Sequence, residues 1–147
     1  RAPMCRAMSL ILNILWLVLG GIWMAAGWLL AALILAVTII GLPWARAALT
    51  MAGLALMPFG QGSLSRFEAT GRHDLGTGPL GLLGNLIWLV LAGWWLARGH
   101  LVAAVLNAVT IIGLPFAWAH LKLARLALWP VGRTLRPYAS PTVPPLQ

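Results

Sequence analysis

The sequence predicts an all-α polytopic membrane protein made of tandem duplicated helical hairpins, with four transmembrane helices and a short interfacial amphipathic helix after each copy. Three observations predict it. The 147 residues are 61% hydrophobic and only 8% charged, against roughly a quarter charged in a soluble domain. The charge-free run over residues 7–45 is 39 residues long, too long for one span of about 20 residues and suited to two joined by a tight turn. Third, the chain repeats itself. Residues 13–60 align without a gap on residues 85–132 at an offset of 72, with 29 of 48 positions identical.

The repeat sets the expected organisation: a first membrane unit at 10–60, a linker at 61–79, a second unit at 80–133, and a flexible Pro-rich tail at 134–147. "NILWLVLGGIW" answers "NLIWLVLAGWW", and "GLALMPFG" answers "RLALWPVG". The linker "QGSLSRFEATGRHDLGTGP" carries both acidic residues, Glu68 and Asp74, and its Gly, Ser and charge content predicts a solvated connection. Inside the second unit Arg98-Gly99-His100 interrupts the apolar run, opposite Ala26-Gly27-Trp28 in the first. That interruption predicts a turn dividing each unit into spans at 10–26 and 29–41, and at 80–97 and 101–113. The apolar character recurs through four stretches, which excludes a simple cleaved signal peptide ahead of a polar domain.

Each second span ends in "VTIIGLP". Gly41 and Gly113 are suited to the left-handed conformation that closes a helix, and Pro43 and Pro115 to opening the next. The segments after the corner, 44–57 and 116–129, come to about 21 Å at 1.5 Å per residue, short for a crossing. They are expected to lie at the interface, with Lys122 and Arg125 three apart on one face above the headgroups. With both termini inside, Arg1, Arg6, Arg46, Arg66, Arg72, Lys122, Arg125, Arg133 and Arg136 fall on the cytoplasmic side and Arg98 alone outside, as the positive-inside rule prefers.

The stretches "LNILWLVLGG", "GWLLA", "NLIWLVLAGWW" with His100 downstream, "TIIGLP" and "LKLARLALWPVGR" together resemble the YccF family of bacterial inner-membrane proteins over residues 10–133. The resemblance implies a bacterial inner-membrane location and two copies of an inner-membrane component domain, each with two transmembrane segments. It implies no catalytic or binding residue.

The composition excludes several classes. The spans hold no Asp or Glu, so an intramembrane proton relay, a carboxylate metal site and acid–base catalysis lack their groups. No phosphate-binding Gly-Lys-Ser/Thr loop, paired metal-spaced His or activated nucleophile occurs, and no enzyme activity, cofactor or metal is expected. A single Cys5 excludes an internal disulfide. The net charge of +8 flanks apolar spans, which favours anionic lipid headgroups over nucleic acid as the partner. His73, His100 and His120 are far apart in sequence and are expected on different sides of the membrane.

Two functions from different classes remain. In one, the chain forms a homo-oligomer through its matched small residues and acts as a passive ion or small-solute channel lined by Asn13, Asn85, Thr38, Thr110 and Asn107. The other reading of these groups is that Asn bonds across helices and Thr bonds to its own helix. In the second function, a non-conducting scaffold or accessory protein binds anionic lipid or a partner membrane protein through Arg46, Lys122, Arg125 and Arg133.

Overall fold

The computed structural model describes residues 3–137; the remainder of the expected tail, 138–147, lies outside the described residues. Each copy is one hairpin. Helix α1 (Pro3–Trp16) passes through a π-helical turn at Leu17–Gly21 into α2 (Ile22–Val37), turns at the TIIGLP corner and returns as α3 (Leu42–Leu56). Strand β1 (Gln61–Ser65) and the short α4 (Arg66–Thr70) follow. The second copy repeats the plan with α5 (Pro79–Trp88), a π-helical turn at Leu89–Gly93, α6 (Trp94–Ala108), α7 (Leu114–Leu128) and β2 (Arg133–Pro137).

The expected turn within each copy does not form. Residues 26–28 and 98–100 lie inside α2 and α6, so the pairs of short spans are single long helices. The two stretches long and apolar enough to cross a bilayer are Arg6–Val37 and Pro79–Ala108, one per copy in place of the expected two. A glycine inside a helix costs only about 1 kcal/mol relative to alanine, and Gly27 is retained where a neighbour comes close: a Cβ there would meet Leu96 at 3.2 Å. The irregularity falls earlier, at the matched π-helical turns. In the first of them Gly20 takes φ 148°, a value open to glycine and strained for other residues.

The expected interfacial helices are the return arms of the hairpins. Helix α3 buries Trp44, Ala48, Met51 and Ala55 along one side, and α7 buries Phe116, His120, Leu123 and Ala127, a spacing of three or four that keeps one helical face against the core. Alanine dominates these seams, so the backbones approach closely.

The corner is closed by side chains. Thr38 Oγ donates to the Leu35 carbonyl at 2.8 Å and accepts the Gly41 N–H at 3.3 Å. Thr110 repeats this with the Asn107 carbonyl and the Gly113 N–H. Pro43 and Pro115 sit in the first turns of α3 and α7 as expected. Gly41 and Gly113, however, are right-handed, with φ −79° and −75°. Their glycine is required by proximity: a Cβ on Gly41 would meet the Leu35 carbonyl oxygen at 2.8 Å, and one on Gly113 would overlap the Asn107 carbonyl oxygen. The left-handed residue in the first corner is Ile39, φ 58°.

The fold is also not purely helical. β1 and β2 pair antiparallel with Gln61 opposite Pro137 and Ser65 opposite Arg133, so the start of the expected tail is a strand and the start of the expected linker is its partner.

Candidate functional site

The two hairpins meet over aromatic rings. Trp28 stacks on Trp88 at 5.4 Å between centroids, and Trp16 lies 6.4 Å from Phe116 and 4.4 Å from His120. Within this core Trp28 Nε1 donates to His100 Nε2 at 3.0 Å, and His100 Nδ1 lies 3.1 Å from His120 Nδ1. An indole N–H only donates, so His100 Nε2 accepts; the neutral ring then carries its proton on Nδ1 and passes the hydrogen bond to His120. His100 and His120, expected on opposite sides, are therefore neighbours in the buried seam. The sequence signal was available: their repeat counterparts are Trp28 and Ala48, residues of an apolar face. Arg98 of the same expected turn points outward, exposed on α6.

The proposed pore-lining residues are spread and occupied. Asn13 exchanges two hydrogen bonds with the backbone of Phe59, each 3.0 Å. Asn85 accepts from the Val131 N–H at 3.0 Å and donates to the carbonyls of Val131 and Gly81. Both amides thus clasp the foot of a long helix to the end of its return arm. Asn107 donates to the Ala103 carbonyl one turn below at 2.8 Å, and the threonines close the corners. These five residues do not come together.

The residues expected at lipid headgroups do converge, apart from one. Lys122, Arg125 and Arg133 line a cavity of about 570 Å³ between α6, α7 and the strand β1. Apolar side chains, including Leu101, Trp118 and Leu128, line it beside the cations. Lys122 reaches from the second copy to the first, donating to the carbonyls of Pro58, at 3.2 Å, and Gln61. Arg125 is exposed on α7 and Arg133 half-buried at the start of β2. Arg46 stands apart, exposed in the first turn of α3. Such a cavity presents positive charge beside hydrocarbon, the two chemistries of an anionic amphiphile.

The acidic residues lie elsewhere. Asp74 forms an ion pair with Arg66 at 2.9 Å. Burial alone would raise the Asp74 carboxyl, but the Gly76 N–H, the Arg66 guanidinium, and the Thr77 hydroxyl and N–H together hold it below its ordinary 3.8. Glu68 caps α4, accepting the Ser65 N–H at 2.9 Å while Ser65 Oγ accepts from Phe67, a capping box.

A duplicated, Trp-sealed hairpin with this apolar exterior defines the class: a small helical integral membrane protein. The profile of YccF, the inner membrane component domain, matches residues 11–61 and again 83–133, and the chain belongs to this family of inner-membrane proteins. The chain is similar to the inner membrane protein YccF of Escherichia coli (strain K12), 40% identical over 129 residues covering 86% of each chain. The inner membrane protein YccF of Shigella flexneri matches with the same identity and coverage. No solved structure matches the chain.

Proposed function

We propose that the protein is a non-conducting, non-enzymatic membrane component that binds anionic lipid in the cavity of Lys122, Arg125 and Arg133. The observation that carries this reading is the convergence of three cations from α7 and β2 on one hollow that apolar side chains also line. Passive conduction has weaker support, because Asn13, Asn85 and Asn107 spend their amides on nearby backbone.

Both hairpins enter from the cytoplasmic side and return to it, with both termini cytoplasmic. Asn13 holds the foot of the long helix beside Phe59, and the strands that follow the two return arms pair with each other, which supports a common side for both feet. At the corners Ile39, Ile40, Ile111 and Ile112 are 71–87% exposed, and the Thr38 and Thr110 hydroxyls meet the carbonyls of Leu35 and Asn107 and the N–H groups of Gly41 and Gly113, inside the protein as a membrane setting favours.

The test is lipid retained by the full chain purified in mild detergent and its flux in liposomes. Wild type is expected to retain anionic lipid and leave liposomes as tight as protein-free controls. Lys122→Glu with Arg125→Glu is expected to lose most of that lipid. Unchanged retention by the double variant, or ion flux through correctly reconstituted wild type, would overturn the reading.

A further inference from the structure

We infer that the protein is monotopic: its two hairpins lie antiparallel along the cytoplasmic leaflet, with the β1–β2 ribbon towards water and the long helices towards the acyl chains. The inference goes beyond the lipid-binding reading above and shares with it only the cytoplasmic placement of both feet.

The hairpins run in opposite directions. Phe116, in the first turn of α7 beside the second corner, lies 6.4 Å from Trp16 and 5.7 Å from Phe59, and Phe59 is the residue that Asn13 holds at the foot of the first hairpin. Reciprocally, Trp44, in the first turn of α3 beside the first corner, lies against Gly84, next to Asn85 at the foot of the second; a Cβ on Gly84 would overlap its indole. Thr38 and Ile40 of the same corner share a hollow with Leu86 and Ile87. Each corner therefore rests beside the other hairpin's foot.

A two-fold that relates antiparallel hairpins is perpendicular to them and crosses them at mid-height. Two contacts mark it, because each joins a residue to its own counterpart 72 positions on: Trp28 to His100 in the core, and Ser63 to Leu135 at the centre of the ribbon. The ribbon is thus level with the middle of the helices. Its neighbours agree: a Cβ on Gly53 of α3 would lie 3.9 Å from Leu135, and Gly62 and Ser63 border a cavity with Ala97 of α6. Helices standing across the bilayer would hold this ribbon at the midplane, where the outward N–H and C=O groups of its two edges find no water. Laid along the surface, the same helices leave it in water, together with Glu68, Arg72 and Asp74, which are exposed in the segment after β1.

The exposed helix faces fit this layout. Ile22, Leu29, Leu33 and Val37 of α2 are 51–72% exposed, and their spacing of seven, four and four sets them on one apolar face, suited to burial in a leaflet. Arg98 stands exposed near the middle of Pro79–Ala108. On a lying helix its stem can follow the apolar surface while the guanidinium reaches headgroups; on an upright one it sits deep in hydrocarbon.

The experiment measures orientation in the full chain, reconstituted in bilayers of phosphatidylethanolamine and phosphatidylglycerol. In oriented circular dichroism of aligned bilayers, the wild type is expected to keep the band polarised along the helix axis at full strength, and loss of that band overturns the inference. In a Cys5→Ser background, spin labels on Ile22→Cys, Leu29→Cys and Val37→Cys are expected to report depths within about 5 Å of one another, one helical turn. A label on Thr134→Cys, the outward neighbour of Leu135 in β2, is expected to be open to a water-soluble nickel relaxant. An upright α2 separates Ile22 from Val37 by about 22 Å at 1.5 Å per residue. Depths that differ by that order, or a Thr134 label reached by oxygen and not by nickel, overturn the inference. Lipid retention is read separately. Upright helices in a chain that still loses its lipid on Lys122→Glu with Arg125→Glu reject this inference and spare the lipid reading; lying helices with retention unchanged in that double variant do the reverse.

Discussion

Trp28 and His100 occupy the same position in the two copies, 72 residues apart, and they hydrogen-bond to each other at 3.0 Å in the buried seam between them. One ancestral position has become a donor in one copy and an acceptor in the other. The contact thus joins the hairpins at their point of pseudo-symmetry. Replacing His100 by Leu strands the indole N–H in an apolar core and is expected to destabilise the protein by about 1–3 kcal/mol. Trp28→Phe in that background should recover part of the loss, because the orphaned donor is gone. A double-mutant cycle by denaturant unfolding in detergent checks this; additive losses would reject the coupling.

The Asn clasps are expected to act on stability and leave lipid retention alone. Asn85→Leu removes three hydrogen bonds and leaves the Val131 N–H without its partner, a loss of about 1–3 kcal/mol. Asn13→Leu removes two and should cost less. Thermal unfolding of the two variants gives the order directly, and the reverse order contradicts the account.

The corners lie at the ends of the hairpins away from the paired strands, so the two ends are expected to differ in accessibility. In a Cys5→Ser background, cysteine placed at Ile39 or at Ile111 should resist a membrane-impermeant maleimide in inverted vesicles. Cysteine at Thr70, in the linker, should react in inverted vesicles only. Labelling of either corner in intact cells would place it in the periplasm.

Acid should loosen the linker before it touches the helices. The Asp74 carboxyl is held below its ordinary 3.8 in the folded protein, so its contribution is present in full above about pH 4 and is lost as pH falls through the lowered folded value. Below that value the Gly76 N–H loses a charged acceptor 2.8 Å away. Hydrogen exchange at Gly76 is expected to rise, relative to its intrinsic rate, as the pH is brought through this range. Asp74→Asn should show the faster exchange already at neutral pH.

Much of this architecture could be read from the residues. The gapless repeat gave the two units, and TIIGLP gave the corners, because a proline in the first turn of a helix carries local physics that tertiary contacts did not override; the left-handed glycine expected before it did not form, since Gly41 and Gly113 are right-handed and are kept by close approach. Arg98-Gly99-His100 was misleading for the opposite reason. Its polarity resembles a loop, yet the helix continues with Arg98 facing out and His100 satisfied by Trp28, a partner no local window contains. The strand pair was equally hidden: QGSLS and RTLRP lack alternation, and each is extended only because the other lies beside it. For the cavity, the three-residue spacing of Lys122 and Arg125 was visible, but Arg133 joins them only through the turn after α7.

The ribbon of β1 and β2 has a consequence for how the protein is made. Synthesis delivers the first hairpin complete while the residues that will pair with Gln61 to Ser65 are still untranslated, and Pro137, the partner of Gln61, follows only after the whole second hairpin. The earliest strand therefore waits on the latest. A nascent chain that stalls after one hairpin carries an open strand edge, and a nonsense mutation shortly before Arg133 injures the first half of the molecule as directly as the second.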